Sequence, residues 1–389
     1  MGPRDPPRLQ ALAGLRFVAA AGILLFHFGG PLTAGAPAWV ERLREGGHAW
    51  VGLFYLLSGF VLAQAHPAPM TAPERRAFLV ARLARLYPAY LLAFLLSAPA
   101  TLARWDGLGA PGALRAAVVA GAALLLVQAW LPIARLWNPP GWSTSVVASF
   151  YVAFPALVAR LSRLRRRGLA LALGAAWGAS LALPLLYLWL QPEGPGAELL
   201  AREPRWLEAL KFHPLARAGE FGAGVVLGLL QQRGQLRRVG SGAAVVALLA
   251  AAGILAGGAA PYLLLHNGLL VPLYAVTVVG LAQGGRLARA LGSRPLAALG
   301  DASFALYALQ FPLWHWARVL ADAPPDPVGP GFVLAFAAAA AAVSLAVSRL
   351  LERPARRWLR AALTPARAGL RAPPARSGGT GRALPPAPP

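Results

Sequence analysis

The chain has 389 residues, 57% of them hydrophobic and only 13% charged, with a net charge of +23 and no cysteine. That balance is too apolar for an ordinary soluble protein of this length, and the missing cysteine excludes thiol nucleophiles, thiolate metal sites and disulfides. Basic residues gather at the ends of apolar runs and in the tail, so the charge points to membrane orientation and anionic headgroups, not to nucleic acid.

Apolar runs long enough for ~30 Å of hydrocarbon recur at 9–29, 49–65, 84–103, 114–132, 143–160, 169–190, 215–231, 241–258, 262–283, 297–320 and 331–351. The expected fold is all-α, a polytopic bundle of membrane-spanning helices. Arg75–Arg85, Arg160–Arg167, Arg233–Arg238, Arg286–Arg294 and the tail after Arg353 are basic and read as cytoplasmic. Glu41–Glu45, Glu193–Lys211 and Asp322–Asp326 are acidic or mixed and read as external. These assignments agree only if one segment between Ala103 and Trp142 fails to cross. The weakest is 114–132, which runs into Asn138-Pro139-Pro140-Gly141. About ten crossings with both termini inside, plus one re-entrant or peripheral helix, is therefore the expectation. Residues 1–360 read as one membrane-embedded domain, and 361–389 as a disordered, basic, Pro/Arg-rich cytoplasmic tail. The first span carries an arginine and no small-residue cleavage site, so no cleavable leader is expected. Lys211 is the only lysine; GC-rich codon usage accounts for so many arginines, which makes any single one less informative.

The first span holds Gly14-Leu15-Arg16-Phe17 and Phe26-His27-Phe28. Arg16 and His27 are eleven residues apart, about three turns, so they share one helix face. An arginine near the middle of a span costs about 2.5–3.5 kcal/mol on insertion scales. An imidazole could serve as general base toward a hydroxyl near neutral pH. Arg16 could hold an anionic donor or a developing negative charge. The bland alternative is a packing histidine and a snorkelling arginine.

Arg82 and Arg85 stand three apart before Tyr87-Pro88, so their guanidiniums could grip one polyphosphate such as coenzyme A; alternatively they only anchor the helix. Ser58-Gly59 reads as close helix packing. Glu220, in Gly219-Glu220-Phe221-Gly222, is nearly the only carboxylate close to a span. It could orient His27 as the acid of a triad does, or be an interfacial charge near Arg217. His48, His66, His213, His266 and His315 read as interfacial or packing residues, and Asp301 as an N-cap. No pair has metal-ligand spacing, so no metal and no tightly bound cofactor is expected.

In this order the pieces resemble the acyltransferase-3 family of membrane acyltransferases, over about Leu9 to Arg357. They comprise the Gly-Leu-Arg-Phe…His opening, Leu57-Ser58-Gly59-Phe60, Arg82-x-x-Arg85-x-Tyr87-Pro88, Trp142-Ser143-Thr144-Ser145, Glu220-Phe221, Leu299-Gly300-Asp301-Ala302-Ser303…Leu306-Tyr307 and Glu352-Arg353-Pro354. The resemblance implies an acyl group, usually acetyl from acetyl-CoA, passed to a hydroxyl of a carbohydrate or lipid-linked envelope acceptor in the bacterial inner membrane. It makes Arg16 and His27 the membrane pair, and Arg82 and Arg85 the donor-binding arginines. Two positions depart from the family: Val147 stands where a glutamate is common, and Gln310 where a histidine is common. A transporter or flippase for a lipid-linked sugar would also explain buried charges, but carboxylates for proton coupling are scarce and no internal repeat is evident. A catalytically silent relative is the third alternative.

Overall fold

The computed structural model describes residues 7–105, 107–194, 204–322 and 328–363, and among them every regular element is helical. The tail from residue 364, residues 195–203 of the Glu193–Lys211 loop and residues 323–327 of the Asp322–Asp326 turn lie outside the described residues.

The first long helix is α1 (Pro7–Phe28), followed by the short α2 (Gly30–Thr33) and the charged α3 (Ala38–Glu45). Helix α4 (Trp50–Ala65) is buried along nearly its whole length. Helix α5 (Ala72–Ala103) has 32 residues and starts well before its apolar stretch. Thr71 and Glu74 form a capping box there, the Glu74 carboxylate accepting from the Thr71 backbone N–H at 2.8 Å, with Pro73 in the first turn. The basic stretch Arg75–Arg85 is therefore helix, not loop.

Helix α6 (Gly109–Leu124) has 16 residues, about 24 Å and too short to cross. The chain then folds back along α5: Trp137 Nε1 donates to the Phe94 carbonyl at 2.9 Å, and Thr101 Oγ1 to the Trp137 carbonyl at 2.8 Å. This is the segment that charge alternation excluded from crossing.

Next come α7 (Gly141–Leu161), α8 (Arg166–Leu190), the short α9 (Arg205–Phe212), α10 (Pro214–Gln232) and α11 (Gly240–Gly257). The apolar run 262–283 is broken into α12 (Tyr262–His266) and α13 (Val271–Ala282). After α14 (Arg286–Leu291), the run 297–320 is likewise divided, α15 (Arg294–Asp301) meeting α16 (Ser303–Leu320) at 60°. Asp301 ends α15 and pairs with Arg353 at 3.3 Å, so it is not the expected N-cap. Helix α17 (Pro330–Val347) passes through a π turn, Ser348–Glu352, into α18 (Arg353–Leu363).

Among the described residues, eight helical stretches are long and apolar enough to cross, and the bent α15–α16 pair makes a ninth. That is one or two fewer than the ten read from the sequence: α10, expected to cross, has 19 residues but carries the buried charges Arg217 and Glu220 and is not among these stretches. The basic loops are tied together at one end: Arg233 donates to the carbonyls of Ser162 and Leu164, and Gln283 to that of Arg237. At the other end Arg135 pairs with Glu208 at 3.8 Å, and Arg42 donates to Ala256 of α11.

Helices α4 and α10 form the centre, backbone against backbone. A Cβ on Gly224 would lie 2.0 Å from the Leu56 carbonyl oxygen, and one on Gly59 would lie 2.2 Å from that of Phe221. Small residues permit such an approach where lipid supplies no hydrophobic drive. Gly224→Ala is expected to force the helices apart at a cost of about 1–3 kcal/mol, read as a lower thermal midpoint in detergent. An unchanged midpoint would contradict the close contact.

Candidate active site

Helices α1, α4, α5, α7 and α16 line a partly open cavity of about 130 Å³, with mostly apolar walls carrying a few polar groups, as small-molecule sites have. Three arginines line it, Arg16 from α1 and Arg82 and Arg85 from α5. The early start of α5 makes the spacing of the last two meaningful: three residues apart, they share one face. The Arg82 guanidinium lies 5.4 Å from the centroid of the Phe78 ring, a cation–π distance. Farther along, hydroxyl-bearing Ser58, Ser143, Thr144 and Tyr307 alternate with apolar walls such as Val51 and Phe304. Ser58, expected to serve packing alone, is among the lining residues.

The start of α7 is held against α16 by the segment after α6. Pro312 inside α16 removes the N–H that would bond to the Ala308 carbonyl. Asn138 Nδ2 donates to that carbonyl instead, at 3.0 Å. Gln128 Nε2 donates to the Gly141 carbonyl at 2.9 Å, and Ser143 Oγ to that of Pro140 at 3.0 Å. The proline-rich turn therefore presents Ser143 and Thr144 to the cavity.

His27 does not line this cavity. It is half-buried near the end of α1, about 16 Å along the helix from Arg16. Its Nδ1 meets Gln310 Oε1 at 3.1 Å, and the ring packs against Phe26 and the edge of Phe311, both at 4.8 Å between centroids. Arg44 donates to the Phe26 carbonyl at 2.9 Å, satisfying an end group of α1. Gln310 lies one turn past the cavity-lining Tyr307 on α16, so His27 sits just beyond the cavity's Tyr307 end.

Glu220 is elsewhere. Its carboxylate pairs with Arg217 at 3.0 Å and accepts from the Gly268 backbone N–H at 3.1 Å. Arg217, fully buried, donates to the His266 carbonyl and to Asn267 Oδ1. One turn of α10 thus serves both sides of the break between α12 and α13. Unpaired backbone at membrane depth costs several kcal/mol per group, which gives this ion pair a structural duty. The expected Glu220–His27 pairing is absent; the imidazole has a neutral amide as its partner. His48 and His266, read from the sequence as interfacial or packing residues, are buried beside this break, with rings 5.4 Å apart.

Val147 lines the cavity and Gln310 contacts His27, so both departures from the family pattern lie at the site. A sequence profile described as an acyltransferase domain matches residues 9–349. The chain belongs to the acyltransferase-3 family. It is 28% identical over 330 residues to Acyltransferase MdmB of Streptomyces mycarofaciens, covering 79% of this chain and 80% of that protein. It is 38% identical over 100 residues to Protein 2 in picA locus of Rhizobium radiobacter, 25% of this chain and 48% of that one. No solved structure gives a significant match.

In this acyltransferase, Glu220→Ala would strand the buried Arg217 charge, at a cost of about 3–5 kcal/mol. The expected result is a markedly lower thermal midpoint, with turnover per folded molecule little changed. Loss of turnover at an unchanged midpoint would return Glu220 to the chemistry.

Proposed function

We propose that this acyltransferase moves an acyl group, acetyl in the first instance, from acyl-coenzyme A to a hydroxyl of a carbohydrate or lipid-linked envelope acceptor. One observation carries this reading: a single cavity gathers Arg16, Arg82 and Arg85 and extends to Tyr307, one turn from the residue that holds His27. A paired guanidinium fork suits the pyrophosphate and 3′-phosphate of coenzyme A. The basic loops face the cytosol under the positive-inside rule, so both ends of the chain are cytoplasmic in a bacterial plasma membrane and the donor enters from the cytosol.

Arg16 shares the cavity with Arg82 and Arg85 and stands about 16 Å along α1 from His27, too far for both to touch one carbonyl. It therefore binds the anionic part of the donor, and the reacting thioester lies toward α16. There the acceptor oxygen attacks the carbonyl carbon, and His27 takes the hydroxyl proton. The C–O bond forms, the C–S bond breaks, and the proton passes to the departing thiolate.

Removing a positioned base costs on the order of 10²–10⁴ in rate, so His27→Ala should lower transfer of radiolabelled acetyl from acetyl-CoA to carbohydrate by at least about 10² at unchanged folding. Arg82→Ala or Arg85→Ala should raise the KM for acetyl-CoA roughly 10-fold or more, as for loss of a charge-assisted hydrogen bond. Wild-type rates in His27→Ala, or an unchanged KM in both arginine variants, would refute the respective role.

A further inference from the structure

We infer that Gln310 is a positioning residue that selects which nitrogen of His27 acts as the base. The inference rests on the proposal that His27 is the base, and it concerns a residue whose amide has only one workable orientation. Gln310 is fully buried in α16. Its Nε2 donates to the Tyr307 carbonyl of the preceding turn at 2.9 Å. The other terminal atom, Oε1, is then the one that faces His27 Nδ1 at 3.1 Å.

An amide oxygen accepts and cannot donate. Nδ1 must therefore carry the hydrogen of the neutral ring, and the lone pair resides on Nε2. The flipped amide would set its oxygen against the Tyr307 carbonyl oxygen, two acceptors with no hydrogen between them. In a buried setting an unmade hydrogen bond is costly, so the network itself disfavours that state. Among the described residues no further hydrogen bond engages the imidazole, and His27 is not fully buried. Nε2 is the nitrogen left to meet an acceptor hydroxyl.

The aromatic surroundings complete the restraint. Phe311 meets the ring edge-on, and Phe26 and Phe28 lie at 4.8 and 5.9 Å between centroids, which opposes rotation of the imidazole about χ2. Gln310 thus performs the orienting duty of a triad acid without adding a charge. Among the described residues no negative group bonds to the imidazole, so the departing thiolate is the natural recipient of its proton.

Two measurements test this. In protein carrying 15N-labelled histidine, His27→Gln removes one of the six histidine signals and so assigns His27. The expected wild-type spectrum at neutral pH has His27 protonated at Nδ1 and bare at Nε2. A ring protonated at Nε2 instead would overturn the inference, whatever the activity. In kinetics, Gln310→Leu should lower kcat roughly tenfold or more with the KM for acetyl-CoA unchanged. Gln310→Glu, whose protonated carboxyl can donate to the Tyr307 carbonyl and still present an accepting oxygen to Nδ1, should recover most of that loss. Equal kcat in wild type and Gln310→Leu would also overturn it. Failure of the base proposal is read separately, because wild-type rates in His27→Ala would leave the tautomer spectrum standing.

Discussion

Polar groups at membrane depth must find their partners inside the protein, and in this bundle α10 supplies the decisive ones. Arg217 and Glu220 satisfy the carbonyl and the amide on either side of the break between α12 and α13, while the glycines of the same helix lie against the backbone of α4. Even Gly52 contributes, since a Cβ there would meet Glu220 Oε1 at 2.7 Å. Helix α4 in turn gives Tyr55 and Ser58 to the wall of the cavity, and the Tyr55 ring centroid lies 5.2 Å from the Arg217 guanidinium. The ion pair therefore fixes the helix that shapes the site.

The site has two ends of different character. Three arginines gather where a highly charged donor would enter, and charge there is tolerable because the side chains face a cavity and not lipid. At the other end the imidazole is framed by phenylalanines and held by an uncharged amide. Such a division suits a substrate that is anionic at one extremity and reacts at the other. Hydroxyls from Ser143, Thr144 and Tyr307 lie between, on helices pinned together by Asn138 and the carbonyl that Pro312 frees.

Much of this was legible in residue spacing. The face shared by Arg82 and Arg85 follows from three-residue separation, and the failure of the fourth apolar run to cross follows from loop charge. The early start of α5 had a local signal too, Thr71-x-x-Glu74 with a proline in the first turn, which the basic composition of the stretch obscured. The break at Asn267-Gly268 had a local signal in its Asn-Gly pair, which the apolar residues on both sides outweighed. Its satisfaction by Arg217 and Glu220 depends on residues about fifty positions away, beyond the reach of any local pattern. The same holds for Gln310 and His27, 283 residues apart: the position was conspicuous as a departure from the family pattern, but its contact emerges only from packing.

The most direct measurement is an electron cryo-microscopy map of the protein with a non-transferable thioether analogue of acetyl-CoA. The phosphates should lie within hydrogen-bonding distance of Arg82 and Arg85, with the acyl carbon beyond Tyr307 and toward His27 Nε2. An analogue whose phosphates contact neither arginine, or whose acyl end points away from α16, would contradict the central claim.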